Sequence, residues 1–484
     1  MRTLLIAASI LTTVLALRNG LAITPQMGWN TWNSFGCAIS EDIVLSSAEL
    51  IVKWGFKDLG YEYVIIDDCW SAGRNSTGHL QANSTKFPNG IADVASKVHA
   101  MGLKLGIYSD AGNFTCGGYE GSLGHEEIDA QTWASWGVDY LKYDNCNNDG
   151  QMGTAQATAS RYKVMQRALN ATGRPILYSM CNWGDDAVWV WGSTVANSWR
   201  MAGDVFDMFD RPDPRCPCDE YTYLTCTESG FYCSVMNVVN KVAQIISKGG
   251  PGNWNDMDML QIGNGGMQDS EYKIQMSVWA AAKSPMIMGN DLRKMDANTL
   301  SILQNTAVLS VSQDVKGSGA ERSWRYFVPD QDKYGQGEIA LWVGGLNGPG
   351  QYGDQLVLFT NTGTQDRRMN ASLATIFFDS GPEGSAPQIK ESWEVYDLWA
   401  NRMDNATANA IINGNGTVPS DARWNATANG GYAGLPSSTE KALMGTKVGT
   451  IQPGGTLWAD VKGRDVGMFR LRQVGAGKKK RDEL

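Results

Sequence analysis

Histidine is nearly absent from this chain. Only His79, His99 and His125 occur in 484 residues, in no metal-ligand spacing. That scarcity disfavours a zinc hydrolase and a Ser-His-Asp triad. Basic residues are also in deficit, 41 against 50 acidic ones, and the net charge of −9 offers no field for nucleic acid or an anionic membrane. No cysteine follows Cys233, although nine lie between Cys37 and that point. An odd count leaves at least one thiol unpaired, and the cut-off is a first sign of a domain break. The one long apolar run, from Leu4 to Ala16, is too short to span a bilayer. Behind Met1-Arg2 it has the layout of a secretory signal, with small-residue cleavage points near Ala16 and Ala22. A Gly-rich phosphate loop, which a doubly wound nucleotide-binding sheet would need, is missing.

What is present is a folded composition, 43% hydrophobic and 19% charged, long enough for two domains. The eighteen tryptophans serve equally as core filler and as faces on which sugars stack. Asn-X-Ser/Thr sequons stand at Asn75, Asn83, Asn113, Asn170, Asn370, Asn405, Asn415 and Asn425, as in a secreted glycoprotein. The tail Arg481-Asp482-Glu483-Leu484 resembles an endoplasmic-reticulum retention signal, with Arg where Lys or His is usual. Export with a merely solvated tail is the alternative. The expected location is the secretory pathway, with the product extracellular or retained.

Short apolar strands recur, each running into polar or charged residues. Tyr63–Ile66 enters Asp67-Asp68-Cys69-Trp70, and Leu103–Tyr108 enters Ser109-Asp110. Val138–Tyr143 ends at Asp144-Asn145-Cys146, Ile176–Ser179 leads into Met180-Cys181-Asn182-Trp183, and Ser198-Trp199-Arg200 leads to Asp204. Trp254–Met259 and Met286–Asp291 close the series, and Met27–Phe35 opens it. Helical patterns at Ser46–Trp54, Ile91–Met101, Glu127–Trp136 and Ala157–Asn170 lie between them, several ending at Gly. Eight such units predict an α/β fold, a (β/α)8 TIM barrel over 23–314 after a leader at 1–22. From about Gly317, alternating segments between Gly, Asn and Asp turns predict a C-terminal antiparallel β-sandwich over 315–473, with a charged tail at 474–484. Its Asn/Gly-rich loops show no concentration of buried-looking charge, so a structural or accessory role is expected.

Chemistry in a parallel α/β barrel sits at the carboxyl ends of the strands. There this chain places Asp67, Asp68, Asp110, Asp144, Asp204, Asp256 and Asp258. One such aspartate is commonly a helix cap or a loop ion pair, but seven on one face cannot all be caps. Glycosidic cleavage uses two carboxyls, about 5–5.5 Å apart in retaining enzymes and about 6.5–9.5 Å apart in inverting ones. A histidine-free magnesium site is the rival use, although nothing indicates phosphate handling.

The ordered motifs Met27–Asn33, Ile66–Trp70, Leu103–Asp110, Leu141–Cys146 and Trp254–Leu260 resemble the α-galactosidases of glycoside hydrolase family 27. The resemblance implies a retaining double displacement on terminal α-galactose, with Asp144 as nucleophile and Asp204 as acid/base, and no metal or cofactor. Asp144 is then expected ionised, its pKa lowered near Lys142, and Asp204 protonated. Asp67 and Asp68 would grip the C4 and C6 hydroxyls, and Lys142 and Arg200 would donate to ring hydroxyls. Trp32, Tyr108, Asp258 and Met259 would complete the sugar site, with Cys116 at its border. Without the resemblance, Trp32, Tyr108 and Met259 would read as barrel-top core. Cys181 and Trp183 would face the C2 substituent, and the bulk of Trp183 favours galactose over N-acetylgalactosamine. Asn182 stands where several relatives carry Glu, which loosens that preference. The resemblance also implies disulfides Cys37–Cys69 and Cys116–Cys146. Cys216–Cys233 and Cys218–Cys226 are expected within an inserted loop, leaving Cys181 free. The alternatives are an α-N-acetylgalactosaminidase on the same fold and an inactive galactose-binding homologue. The expected partners are α-galactoside substrates; self-association is left open.

Overall fold

Alternate side chains of a strand face opposite sides, and that period of two decides where each apolar run is buried. The computed structural model describes residues 19–211, 233–378, 386–414, 424–426, 428–429, 431–432 and 441–476. Its first ten strands are β1 (Met27–Asn30), β2 (Tyr63–Ile65), β3 (Ser71–Arg74), β4 (Leu80–Ala82), β5 (Lys104–Asp110), β6 (Tyr140–Asp144), β7 (Leu177–Met180), β8 (Ser198–Arg200), β9 (Trp254–Asp256) and β10 (Met286–Met288). All except the β3–β4 hairpin join one parallel sheet in the order β10-β1-β2-β5-β6-β7-β8-β9. A parallel bridge between Leu260 and Met288 closes the circle into a barrel.

Tyr63, Ile65, Tyr140, Leu177 and Ile287 fill the lumen as one cluster. Their neighbours Val64, Ile66, Leu141, Tyr143, Tyr178 and Met180 point the other way, into the core under the helices. Following Tyr140, the period of two puts Lys142 and Asp144 on the lumen side. Gly28 lets β1 lie against β2, because a Cβ there would meet the Tyr63 carbonyl oxygen at 2.3 Å.

The surrounding helices are α1 (Trp32–Phe35), α2 (Glu41–Lys53), α3 (Ile91–Ala100), α4 (Glu126–Trp136), α5 (Ala155–Ala171), α6 (Val188–Trp191), α7 (Val235–Val242), α8 (Asp269–Ala282), α9 (Ala297–Leu303) and α10 (Thr306–Ser312). Two boundaries depart furthest from the sequence expectation. The first strand stops at Asn30, whose Oδ1 accepts the Trp32 N–H at 2.7 Å and turns the chain into α1. The second helix starts at Glu41 because Ser40 caps it, its hydroxyl accepting the Ile43 N–H.

The C-terminal strands are β11 (Glu321–Phe327), β12 (Glu338–Leu346), β13 (Asp354–Asn361), β14 (Arg367–Ser372), β15 (Trp393–Asp397), β16 (Thr446–Ile451), β17 (Thr456–Val461) and β18 (Asp465–Gln473). Six form an antiparallel sheet, β11-β12-β13-β18-β15-β16, and β14 pairs with β17 in a second. Leu341, Val343, Val357 and Phe359 pack against Met369, Leu457 and Val461 of that second sheet. Ala340, Trp342, Leu356 and Leu358, from the opposite face of the same strands, belong to the barrel's helical core. The central strands are thus buried on both sides.

The strands of this domain, unlike its loops, carry a cluster of buried charge. Asp354 is fully buried and accepts from Arg470 Nη1 at 3.0 Å and Arg472 Nη2 at 2.7 Å. Arg470 also reaches Ser310 Oγ on α10 at 3.2 Å. The cluster lies where the six-stranded sheet meets the barrel, so its charges join the two halves. The leader before residue 19 and the tail after 476 lie outside the described residues.

Removing Asp354 would take from Arg470 and Arg472 the buried carboxylate they share. D354A is expected to lose about 3–5 kcal/mol of stability, read as a lower denaturation midpoint for the full chain. An unchanged midpoint would show that the cluster is dispensable.

Candidate active site

The lumen-facing ends of β2, β5, β6, β8 and the segment after β9 open into a cavity of about 660 Å³. Trp32, Asp67, Asp68, Tyr108, Cys116, Lys142, Asp144, Trp183, Arg200, Asp204, Asp258 and Met259 all line it. Of the seven strand-end aspartates, Asp110 and Asp256 do not line it, and of the sugar-contacting residues expected there Cys181 lies outside the wall. It is buried beneath, its Sγ 3.6 Å from Arg200 Nη1.

Two cations organise the carboxylates. Lys142 Nζ donates to Asp67 Oδ2 at 2.8 Å, beside the Asn30 amide at 2.7 Å, and sits 5.2 Å from the Tyr108 ring centre. Arg200 Nη2 bridges Asp204 Oδ1 at 2.9 Å and Asp258 Oδ2 at 3.0 Å. Asp68 is held differently, by the N–H groups of Cys69 (2.6 Å) and Gly117 (2.7 Å). Gly117 is needed for that approach: a Cβ there would stand 2.8 Å from Asp68 Oδ2.

Asp144 is fixed at both oxygens. Tyr108 Oη donates to Oδ2 at 2.9 Å and the Asn145 N–H to Oδ1 at 3.0 Å. Its main-chain carbonyl accepts from Tyr162 Oη and the Ala111 N–H. The expectation of a lowered pKa is not met. Complete burial pushes the Asp144 carboxyl up to about 6, opposed by Lys142 and the Tyr108 hydrogen bond and reinforced by Asp204. The physical reason is burial, which outweighs the pull of a Lys142 ammonium that also serves Asp67. Burial also raises Asp258 to about 6 against the pull of Arg200, and raises Asp68. Asp204 is the most open of the group, its side chain 48% exposed.

Backbone strain concentrates here. Cys69, Trp183 and Asp258 have φ of +73°, +59° and +80°. Such angles cost non-glycine residues free energy and persist only where neighbours enforce them. At Asp258 the enforcement is visible: its carboxylate accepts from the Val205 and Met259 N–H groups, and its own N–H donates to Asp256 Oδ1.

Two disulfides flank the site. Cys116–Cys146 ties the loop after β5 to the end of β6, two residues beyond Asp144, and Cys37–Cys69 ties α1 to the end of β2. Cys233 is disulfide-bonded. Cys216, Cys218 and Cys226 lie outside the described residues, as does the sequon at Asn415. The remaining sequon asparagines are all at least partly exposed.

Sequence reasoning missed the outer wall. Phe206, Asp207, Gln261, Asn264, Asp291 and Lys294 line the cavity mouth. They come from loops whose approach is made by long-range bonds, such as Tyr272 Oη to Asp207 Oδ1 at 2.9 Å and Gln261 Nε2 to the Val205 carbonyl at 2.7 Å. No short motif signals those contacts. The chemical content of the whole is nonetheless plain: buried carboxylates, two cations and aromatic faces around a sugar-sized space.

Comparison with known proteins agrees in extent as well as in kind. Residues 24–314 match the family model "Alpha galactosidase A" and residues 336–420 its "Alpha galactosidase C-terminal beta sandwich domain". Alpha-galactosidases of Lachancea cidri and Saccharomyces paradoxus are each 50% identical, over 94% and 95% of this chain and 95% and 96% of theirs. The structure of the Saccharomyces cerevisiae α-galactosidase, also solved with raffinose, superposes with a TM-score of 0.90 at 47% identity, covering 94% of this chain and 99% of that one. That of α-galactosidase I from Mortierella vinacea gives 0.78 at 42%, covering 94% and 98%.

Burial holds the Cys181 thiol well above its ordinary pKa, with Asp144 adding to the effect. The folded protein is therefore expected to resist a bulky aromatic disulfide reagent, with Cys181 becoming reactive only on denaturation. Rapid labelling before unfolding would contradict the buried placement.

Proposed function

The chain belongs to the alpha-galactosidase A family, and on that premise we propose that it is a retaining exo-α-galactosidase acting on terminal α-galactose of oligosaccharides, galactomannan side chains or glycoconjugates. The observation that carries this reading is the buried Asp144 carboxylate, fixed at both oxygens and sharing one cavity with the more open Asp204. An Asp144 oxygen attacks the anomeric carbon as the bond to the leaving oxygen breaks and Asp204 delivers its proton there. Water then attacks the same carbon, giving a proton to Asp204 and releasing Asp144. To act as acid, Asp204 must leave Arg200, and Asp258 keeps the guanidinium paired when it does.

Asp67, Asp68 and Lys142 are suited to hydroxyl recognition, acceptor-only carboxylates for sugar O–H groups and an ammonium for oxygens. Trp183 fills the wall with its indole, which favours galactose over its N-acetylamino analogue; this is the ground for preferring the galactosidase reading over an N-acetylgalactosaminidase. A binding-only role is disfavoured by the retention of both carboxylates. The apolar leader and the sequons support passage through the secretory pathway and export; the Arg481–Leu484 tail motif supports retention instead, and locating a tail-deleted chain distinguishes the two.

An aryl α-galactoside should release the α-anomer first by NMR; initial β-galactose would exclude double displacement. D144N should lower kcat by about 10⁴ or more with the fold intact, whereas appreciable turnover would remove Asp144 from its role. Tyr108→Phe deletes a bond that stabilises the Asp144 carboxylate. The acidic limb of kcat/KM, governed by loss of that carboxylate, should therefore move to higher pH by about one unit. A shift to lower pH would refute that assignment.

A further inference from the structure

A second cavity, of about 770 Å³, lies away from the carboxylates, between the β3–β4 hairpin, the loop leading to α3 and the C-terminal half of α4. Asn75, His79, Gln81, Phe87, Gln131 and Trp136 contribute to its walls, and its lining contains no Asp, Glu, Lys or Arg among the described residues. A neutral polar ligand therefore suits it, and an anionic or cationic one does not. With no carboxylate it can hold a sugar but cannot hydrolyse one.

Its walls are braced. Arg74 on β3 makes a two-pronged bond to Asp129 on α4 at 2.6 and 2.8 Å, and His79 Nδ1 meets Thr132 Oγ1 at 2.9 Å. Trp136 is half-buried and held edge-to-face by Trp70, with ring centres 5.8 Å apart. Trp70 is itself fixed by its indole N–H to the Tyr108 carbonyl at 2.9 Å. An indole held this way presents an apolar face beside amide donors and acceptors, the pairing a pyranose ring uses.

The wall also contains its own candidate ligand. Asn75 opens the sequon Asn75-Ser76-Thr77. Its Oδ1 accepts from the Thr77 N–H at 3.0 Å, the Thr77 hydroxyl at 2.8 Å and the His79 N–H at 3.0 Å. Those bonds fix the amide plane, and Nδ2 donates to no described residue. We propose that this cavity houses the N-linked glycan of Asn75, its first N-acetylglucosamine lying on the Trp136 indole and its hydroxyls meeting Gln81 and Gln131. The covalent step is ordinary transfer from an oligosaccharide carried on a polyprenyl diphosphate. The sugar's C1–O bond to the diphosphate breaks, a C1–N bond to Nδ2 forms, and one amide proton is lost with the leaving diphosphate. The inference rests on the secretory reading above.

The test is glycopeptide mass spectrometry on the full chain secreted from a yeast host, before and after digestion of the native protein with a peptide N-glycosidase. Asn75 should be occupied, and its glycan should be released about tenfold more slowly than that of exposed Asn170. W136A should abolish the difference and W136F should keep most of it. N75Q provides an independent measurement: amide exchange across 131–136 should speed up when the glycan is missing, with aryl α-galactosidase activity unchanged. An empty Asn75 beside occupied Asn113, Asn170 and Asn370 overturns this proposal alone; no occupancy anywhere overturns the secretory reading with it. Equal release rates at Asn75 and Asn170, or exchange unaltered in N75Q, would also overturn it.

Discussion

The mouth of the barrel is short of positive charge, and much of the site follows from that shortage. Lys142 and Arg200 stand among Asp67, Asp68, Asp144, Asp204 and Asp258, most of them out of water. A buried charge without a partner is costly, so two cations cannot satisfy five carboxylates. The remainder is met by main-chain N–H groups, as at Asp68, and by raised carboxyl pKa values, as at Asp144 and Asp258. Sugar hydroxyls are the natural supplement, because each brings a donor to an acceptor-rich wall. Affinity for a polyol and the tuning of the reactive carboxylates are therefore one arrangement.

That arrangement sits on a part of the fold with little freedom. The period of two along β6 assigns Tyr140 to the lumen and Leu141 and Tyr143 to the helices, so Lys142 and Asp144 have no alternative side. A one-residue slip would bury both charges among the tyrosines under α4 and α5. The outer wall obeys a looser rule. Loops carrying Phe206, Asp207 and Asn264 are joined by side-chain bonds such as that from Tyr272 to Asp207. The floor that holds the sugar is built of sheet, and the rim that meets the rest of the substrate is built of loop.

Legibility from sequence follows the same division. Asp144 could be found because an apolar strand ending in charge is a local pattern, and the strand ends at Asp67, Asp204 and Asp258 are equally local. The rim could not be found, because Gln261 and Val205 are 56 residues apart and share no motif. Nor could the buried Asp354–Arg470 pair, separated by 116 residues within segments that look like ordinary exposed strands. The direction of the Asp144 shift was missed for a related reason. Sequence places Lys142 two residues away, but only the folded chain shows the burial that outweighs it.

The two-faced burial of β12 and β13 sets a limit on modularity. One face belongs to the sandwich and the other to the helical core of the barrel, so no plane through the molecule separates two self-sufficient units. A chain cut near residue 314 would expose the flank of α8 and α10 as a continuous apolar surface, with the Ser310 hydroxyl deprived of Arg470. Exchange of the C-terminal sheet between relatives must therefore carry the matching helix faces with it, and the composition change near Gly317 is not a seam along which evolution or engineering can shuffle parts freely.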